Sequence, residues 1–279
     1  MADHPASPFG PPPASSFEVA PTADDIRFFQ ENGFLAVERI TTDEELEWLK
    51  RIFEHVFDPV NADAAGAPVD RSGTGASGTL QQAFFPEMQF PALLDTTYRR
   101  NAKRYAAALL GVDENRLTSW GHVIRKAPGG RATPWHQDHA YWPPELEFQA
   151  LGCWLALHDV PVQMGTMQFV PGSHRRGLLP HRHVDEPRHN LLEVVGGVDP
   201  DTAIACPLKA GGATFHHPET LHYTARNDTD SPRLAFPIEI ELPPVRRALP
   251  AEMPWADAHR AAVGRAPVFY VADGKLIEL

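Results

Sequence analysis

From about Thr118 the chain breaks into short apolar runs, "TSWGHVIR", "LGCWLALHDV", "TMQFVPG", "TAIACPL", "GATFHHP" and "RLAFPIEIEL", each set off by Gly, Pro or Asn turns. That cadence of brief strands indicates an antiparallel sandwich or barrel. The segments before it read as helices. "TADDIRFFQENG" opens on a Thr22–Asp25 capping box and stops at Asn32-Gly33, with a short strand from Phe34 to Val37 behind it. "TTDEELEWLKRIFEHVF" places Leu46, Leu49, Ile52, Phe53 and Val56 on one face behind a second Thr-x-x-Glu start. A third helix is predicted through "PALLDTTYRRNAKRYAAALLG", ending at Gly111. The expected fold class is α+β, with helices leading a mainly β core.

Residues 1–20 are rich in Pro, Ala and Ser and carry no apolar period, so they read as a mobile tail that leaves 21–279 as a single domain. The stretch 58–79, "DPVNADAAGAPVDRSGTGASGT", has the composition of a long loop, and such loops are often lids. Charge narrows the partners: 25 Lys and Arg against 36 Asp and Glu give a net charge of −11. That balance disfavours nucleic acid or an acidic membrane surface and favours a small-molecule substrate. The N-terminus shows no signal-like pattern, and no run reaches the roughly 18 apolar residues of a membrane span. The expected compartment is the cytoplasm, and the expected state a monomer or homodimer. Cys153 and Cys206 each lie inside an apolar run, which makes them reduced packing residues rather than a disulfide or thiolate zinc site.

The chemistry concentrates in "TPWHQDHAYWPP". On a strand, residues two apart share a face, so His136 and Asp138 can converge while Gln137 points away. Two histidines and one carboxylate make the facial triad of non-haem Fe(II) oxygenases, which leaves open positions on the metal. "GGATFHHPETLHYTARNDTDSPRLAF" offers His216, His217 and His222 as the second histidine. His222 is favoured because Arg233 follows it by 233 − 222 = 11 residues, at the start of an apolar run. From there its planar guanidinium could grip a keto-acid carboxylate.

With these residues in place, the chain resembles the phytanoyl-CoA dioxygenase family of Fe(II)/2-oxoglutarate-dependent oxygenases. The similar segments are "FFQENGFLAVERITTDEELEWLK", "VIRKAPGGRATPWHQDHAYWP", "GCWLALHDV", "GTMQFVPGSHRRG" and "GGATFHHPETLHYTARNDTDSPRLAF", in the family's order across about residues 22–240. The resemblance implies a double-stranded β-helix, or jelly roll, flanked by helices. It implies that His136, Asp138 and His222 bind iron, that Arg233 holds 2-oxoglutarate, and that Thr118 and Trp154 touch that cosubstrate. Where the family usually has Gln before its Lys-Pro-Pro-Gly-like turn, this chain has His122. O2 would be the second cosubstrate, succinate and CO2 the by-products, and hydroxylation of a natural-product or other secondary-metabolite intermediate the expected outcome. Related halogenases replace the carboxylate with a small residue, so Asp138 speaks against halogenation. The competing reading is a cupin-like metal-binding or isomerase protein, in which Arg233 would have no task.

Other polar residues have plainer readings. His216 and His217 are expected to be structural. The cluster His174, His181, His183 and His189 sits among arginines at irregular spacing, as in a solvated loop. Arg125 and Lys126 read as surface residues and Arg226 as a loop residue. His139, Tyr141 and Trp142 follow the metal pair and could line a pocket or simply pack. The segments 58–79, 175–190 and "MPWADAHRAAVGRAPVFYVADG" are expected to shape the substrate pocket.

Overall fold

The structure is a computed structural model, and it describes residues 8–58, 60, 69–70, 79–264, 269–272 and 274–278. Its strands form two principal sheets. The larger runs β1 (Phe34–Val37), β12 (Ala213–His216), β7 (Ala150–Ala156), β14 (Arg233–Glu241), β4 (Thr118–Lys126), β3 (Leu80–Phe84) and β2 (Val69–Asp70). The smaller runs β11 (Ile204–Cys206), β8 (Met167–Phe169), β13 (His222–Thr224) and β5 (Thr133–His136). Two-stranded ribbons pair β6 (Leu146–Glu147) with β15 (Val245–Arg246), β9 (His181–His183) with β10 (Leu192–Val194), and β16 (Phe269–Ala272) with β17 (Lys275–Glu278). All these pairings are antiparallel, and neither principal sheet closes into a barrel. The expected helix-flanked jelly roll is the architecture found.

Alternation along β14 divides the interior. Phe236, Ile238 and Ile240 face a core shared with helices α2 (Asp43–Val56) and α4 (Thr97–Leu110). Arg233, Pro237 and Glu239 point to the other side, where a cavity opens. Strand β7 divides the same way, with Leu151 and Leu155 toward the helices and Gly152 and Trp154 at the cavity. Period-two side-chain geometry thus gives one sheet a packing face and a chemical face.

The helices begin where capping chemistry predicts. In α1 (Ala23–Asn32) the Thr22 hydroxyl accepts from Asp25 N, the Asp25 carboxylate accepts from Thr22 N, and Gly33 closes the end at φ 79°. Thr42 caps α2 by accepting from Glu45 N, and all five predicted apolar positions of α2 are buried. Glu45 does not return to its own cap. Its buried carboxylate accepts from Thr41 Oγ1 and from Thr97 N and Tyr98 N at 2.6 and 2.8 Å, so it caps α4 instead. The third predicted helix therefore starts later than expected. A single turn, α3 (Pro86–Gln89), and a short 3-10 turn over residues 91–95 come first, and α4 begins after Thr96.

The N-terminal stretch also departs from its composition. Phe9 packs edge-on against His55 and Phe90, and its carbonyl accepts from Trp48 Nε1 at 3.0 Å. Asn101 Nδ2 donates to Phe17 O, and Val19 N donates to Asn101 Oδ1. The segment is thus docked from Phe9 onward, because scattered Phe and Val anchors suffice without a period. The part of the expected tail at 1–7 lies outside the described residues, as does most of the expected lid at 58–79.

Candidate metal centre

His136 ends β5 and His222 opens β13, and the two strands pair with these residues opposite one another. Their rings lie 4.1 Å apart, centroid to centroid. The strand stops at His136 rather than running through Asp138, which begins a 3-10 turn (Asp138–Tyr141). Gln137 keeps an extended backbone, φ −124° and ψ 133°, and so returns the Asp138 side chain to the His136 side. Asp138 Oδ1 lies 3.7 Å from His136 Nε2 and 3.4 Å from His222 Nε2. Ligand atoms from the three residues fall within 4.8 Å of one another. Donors around one octahedral ion at about 2.1 Å would be about 3 Å apart, so only a small contraction separates this arrangement from a coordination shell.

The two imidazoles are already oriented for a metal. His136 Nδ1 donates to Pro134 O at 2.7 Å and His222 Nδ1 to Thr220 O at 2.9 Å. A carbonyl accepting from Nδ1–H keeps that proton in place and turns Nε2, the nitrogen that would ligate, toward the carboxylate side. Burial and then the nearby His222 lower the His136 pKa to about 3, so it is neutral and free to ligate. Burial works against an ionised Asp138, yet His222 and His216 hold its carboxyl well below the usual range. For His222, burial is outweighed by Asp138 and its pKa rises. The donor set is that of a non-haem iron site.

Gln137 supports this turn from behind. Its side chain is fully buried, donating to Gly177 O at 2.9 Å and Glu219 O at 2.7 Å and accepting from Leu179 N at 2.8 Å. Its backbone N–H donates to His181 Nε2 at 3.2 Å. His181 is therefore a buried brace of the metal turn and not a residue of a solvated loop. Trp255, on α5 (Pro254–Val263), packs beside it with the rings tilted by 50° and donates Nε1–H to Ala140 O.

A cavity of about 330 Å³ runs from the triad across the larger sheet. Near one end Arg233 is almost fully buried, with its guanidinium 5.2 Å from the Trp154 ring centroid. It donates to Gly165 O, its Nε has no partner, and no carboxylate pairs with it among the described residues. Burial pulls its pKa to about 9. Lys126, paired with Arg233 across β4 and β14, is buried rather than on the surface. It donates to Thr224 Oγ1 at 2.7 Å and Ala225 O at 2.9 Å. Burial and then the neighbouring Arg233 hold the Lys126 pKa well below the usual lysine value, and its Nζ is engaged by Thr224 and Ala225, so the donor left open here is Arg233 Nε. Thr224, whose oxygen accepts from Lys126, keeps its own proton to offer to the cavity it lines.

Thr118 does not reach this end. It pairs with Glu241, 126 − 118 = 8 residues along β4 from Lys126, and its hydroxyl faces Glu241 O at 3.4 Å. Eight residues of strand span about 26 Å. The cavity-facing residues of β4 are Trp120, His122 and Ile124. His216, expected to be structural, lines the cavity and donates Nε2–H to Asp138 Oδ2 at 2.7 Å. Arg226 stays on an exposed loop beside Asp228. Tyr141, Trp142, Asn190 and Leu191 contribute to the walls, whereas His139 turns aside to Glu219.

Next along β14 come two buried carboxyls. Glu239 lines the cavity, and burial, then Asp138 and Glu241, hold it well above the usual carboxylate range. Burial raises Glu241 to about 8 against a hydrogen bond from Trp120 that lowers it. An unfolded glutamate ionises near 4.5, so the protonated native form is favoured and stability falls as pH climbs from 4.5 to 8. The slope is up to about 1.4 kcal/mol per pH unit. Glu241→Gln is expected to melt above wild type at pH 8 and level with it at pH 4, which thermal unfolding at the two pH values checks.

The same set of residues falls within a known family. The sequence profile of the phytanoyl-CoA dioxygenase family matches residues 29–235, most of the chain. The chain belongs to that family. Its members are Fe(II)/2-oxoglutarate-dependent dioxygenases, and the His136, Asp138 and His222 cluster lies inside the matched region. Phytanoyl-CoA dioxygenase domain-containing protein 1 of Danio rerio is 33% identical over 124 residues, covering 42% of this chain and 42% of that relative. EvdO2 from Micromonospora carbonacea var. aurantiaca, solved with 2-oxoglutarate, is 33% identical with a TM-score of 0.73, covering 86% of this chain and 99% of its own. SnoN, an α-ketoglutarate-dependent epimerase from nogalamycin biosynthesis, is 25% identical with a TM-score of 0.59, covering 78% and 81%. Among the described residues, no helix is long and apolar enough to cross a membrane.

Proposed function

We propose that the chain is an Fe(II)- and 2-oxoglutarate-dependent oxygenase that hydroxylates an unactivated C–H bond of a small molecule, releasing succinate and CO2. The carrying observation is one cavity lined by both a convergent His-Asp-His set and a buried guanidinium that has no carboxylate partner among the described residues. His136, Asp138 and His222 hold the iron. Fe(II), when bound, supplies the O2 activation that couples oxidative decarboxylation of the keto acid to substrate oxidation. Arg233 receives the distal carboxylate, where a planar fork and low dielectric make the pairing strong. Thr224 adds a hydroxyl donor, and Trp154 gives the cosubstrate a flat wall. Aromatic residues Phe84, Phe85, Trp120 and Trp142 exclude water and hold the substrate. Glu239, whose carboxyl burial holds well above the usual range and whose Oε2 has no hydrogen-bond partner among the described residues, offers a polar contact to a hydroxyl or similar group.

A secondary-metabolite intermediate fits best as the substrate. The cavity is at the small end of the roughly 300–1,000 Å³ typical of ligand pockets, and the net charge of −11 argues against a polyphosphate-bearing acyl-CoA. SnoN, a structural neighbour from nogalamycin biosynthesis, supports the same class. The test adds Fe(II) and then 2-oxoglutarate anaerobically to iron-free protein and follows the visible charge-transfer band of the chelate. Candidate substrates are then screened aerobically for one succinate per hydroxylated product. A band at one iron per chain with matched succinate is the expected result. Stoichiometric iron binding without any band would sink the reading.

A further inference from the structure

The two oxygens of Asp138 have different surroundings. Oδ1 faces His136 and His222, while Oδ2 is 2.7 Å from His216 Nε2. His216 is buried to 4% exposure on β12, and its ring lies over Gly152, its partner on β7. A Cβ on Gly152 would come within 2.6 Å of both Cε1 and Nε2 of that ring. Phe169 covers the ring from the smaller sheet, centroids 5.5 Å apart. The imidazole therefore occupies space that exists only because residue 152 lacks a side chain. The His216 ring also lies beside His222, centroids 4.7 Å apart, so this part of the larger sheet is brought directly against the metal turn.

We infer that His216 is a positioning residue that holds Asp138 as a one-oxygen ligand, with Gly152 as the seat for its ring. The inference rests on the assignment of His136, Asp138 and His222 as iron ligands. A carboxylate free to turn can chelate with both oxygens and take a coordination position that the keto acid needs. A donor fixed on Oδ2 leaves Oδ1 alone to face the metal. Three protein atoms would then hold Fe(II) and leave it room for 2-oxoglutarate and a further ligand. The ring has no proton-transfer task here; its contribution is orientation.

The experiment is an anaerobic Fe(II) titration at saturating 2-oxoglutarate, reading both the iron affinity and the position of the charge-transfer band. It compares wild type with His216→Phe, His216→Gln, Gly152→Ala, His216→Ala and the Gly152→Ala/His216→Ala double variant. His216→Phe should weaken iron binding roughly 10- to 100-fold, as loss of a hydrogen-bonded partner behind a ligand does, and should move the band. His216→Gln, which keeps an N–H of similar reach, should recover most of both. Gly152→Ala should weaken binding when His216 is present and add nothing once the ring is gone. Wild-type affinity and band in His216→Phe would overturn the proposal. So would an equal Gly152→Ala penalty in both backgrounds, since that is a strand defect and not a displaced ring. Absence of any band in wild type would overturn the ligand assignment and the proposal together, which separates that failure from the others.

Discussion

Asp138→Ala is expected to abolish the Fe(II)/2-oxoglutarate charge-transfer band and all substrate-coupled turnover. The carboxylate is the only anion in the ligand cluster, and His216 on one oxygen and the two Nε2 atoms near the other all depend on it. Its removal leaves His136 and His222 as the only predicted ligands. Breaking a buried charge pair by deleting one partner costs roughly 3–5 kcal/mol, and a similar loss here means an iron affinity down by about a hundred- to several-thousand-fold. Fluorescence quenching by Fe(II), titrated anaerobically, measures this independently of activity. Near wild-type iron affinity in the alanine variant would remove Asp138 from the ligand set.

Arg233→Leu is expected to separate cosubstrate binding from folding. In the ligand-free protein the guanidinium is buried, donates to Gly165 O, and has an open Nε and no counter-charge among the described residues. Burial alone drags its pKa to about 9, which means that the native state disfavours the cation. Replacement by a hydrophobe relieves that penalty, so the ligand-free Leu variant should melt no lower than wild type. With 2-oxoglutarate the order reverses. Loss of the buried partner of a carboxylate costs about 2–5 kcal/mol, so the dissociation constant should rise by roughly 30- to several-thousand-fold. The rise in melting temperature that saturating 2-oxoglutarate gives the iron-loaded wild type should disappear. An unchanged 2-oxoglutarate affinity would move the anion site away from Arg233, with Lys126 and Thr224 as the next residues to test.

Features written in local chemistry are legible in the amino-acid sequence itself. Thr22, Asp25 and Gly33 announce α1 because a cap is made by residues within a few positions of each other. The His136 and Asp138 pair follows from the period of an extended chain, and it holds even though the strand ends between them, because Gln137 stays extended. Residues whose role depends on strand register are not legible in this way. His216 matters through a contact spanning 78 residues, His181 through one spanning 44, and Lys126 through one spanning 98. Thr118 illustrates the converse error: it lies on a strand of the site but at the wrong end, and position along a strand relative to its neighbours is not encoded in any short motif. Phe9 and Val19 anchor a segment whose Pro, Ala and Ser content resembles that of a free tail.

The division of β14 into two faces has a consequence for how this chain can change. Arg233 and Glu239 stand 239 − 233 = 6 residues apart on one strand, about 20 Å at the pitch of an extended chain. Substitutions can retune either residue singly. A one-residue insertion or deletion between them turns every later side chain to the opposite face, sending Glu239 into the helical core and Ile238 or Ile240 into the cavity. New specificities in such a scaffold can therefore arise by exchange of side chains on this strand, while changes of length are confined to the loops beyond its ends.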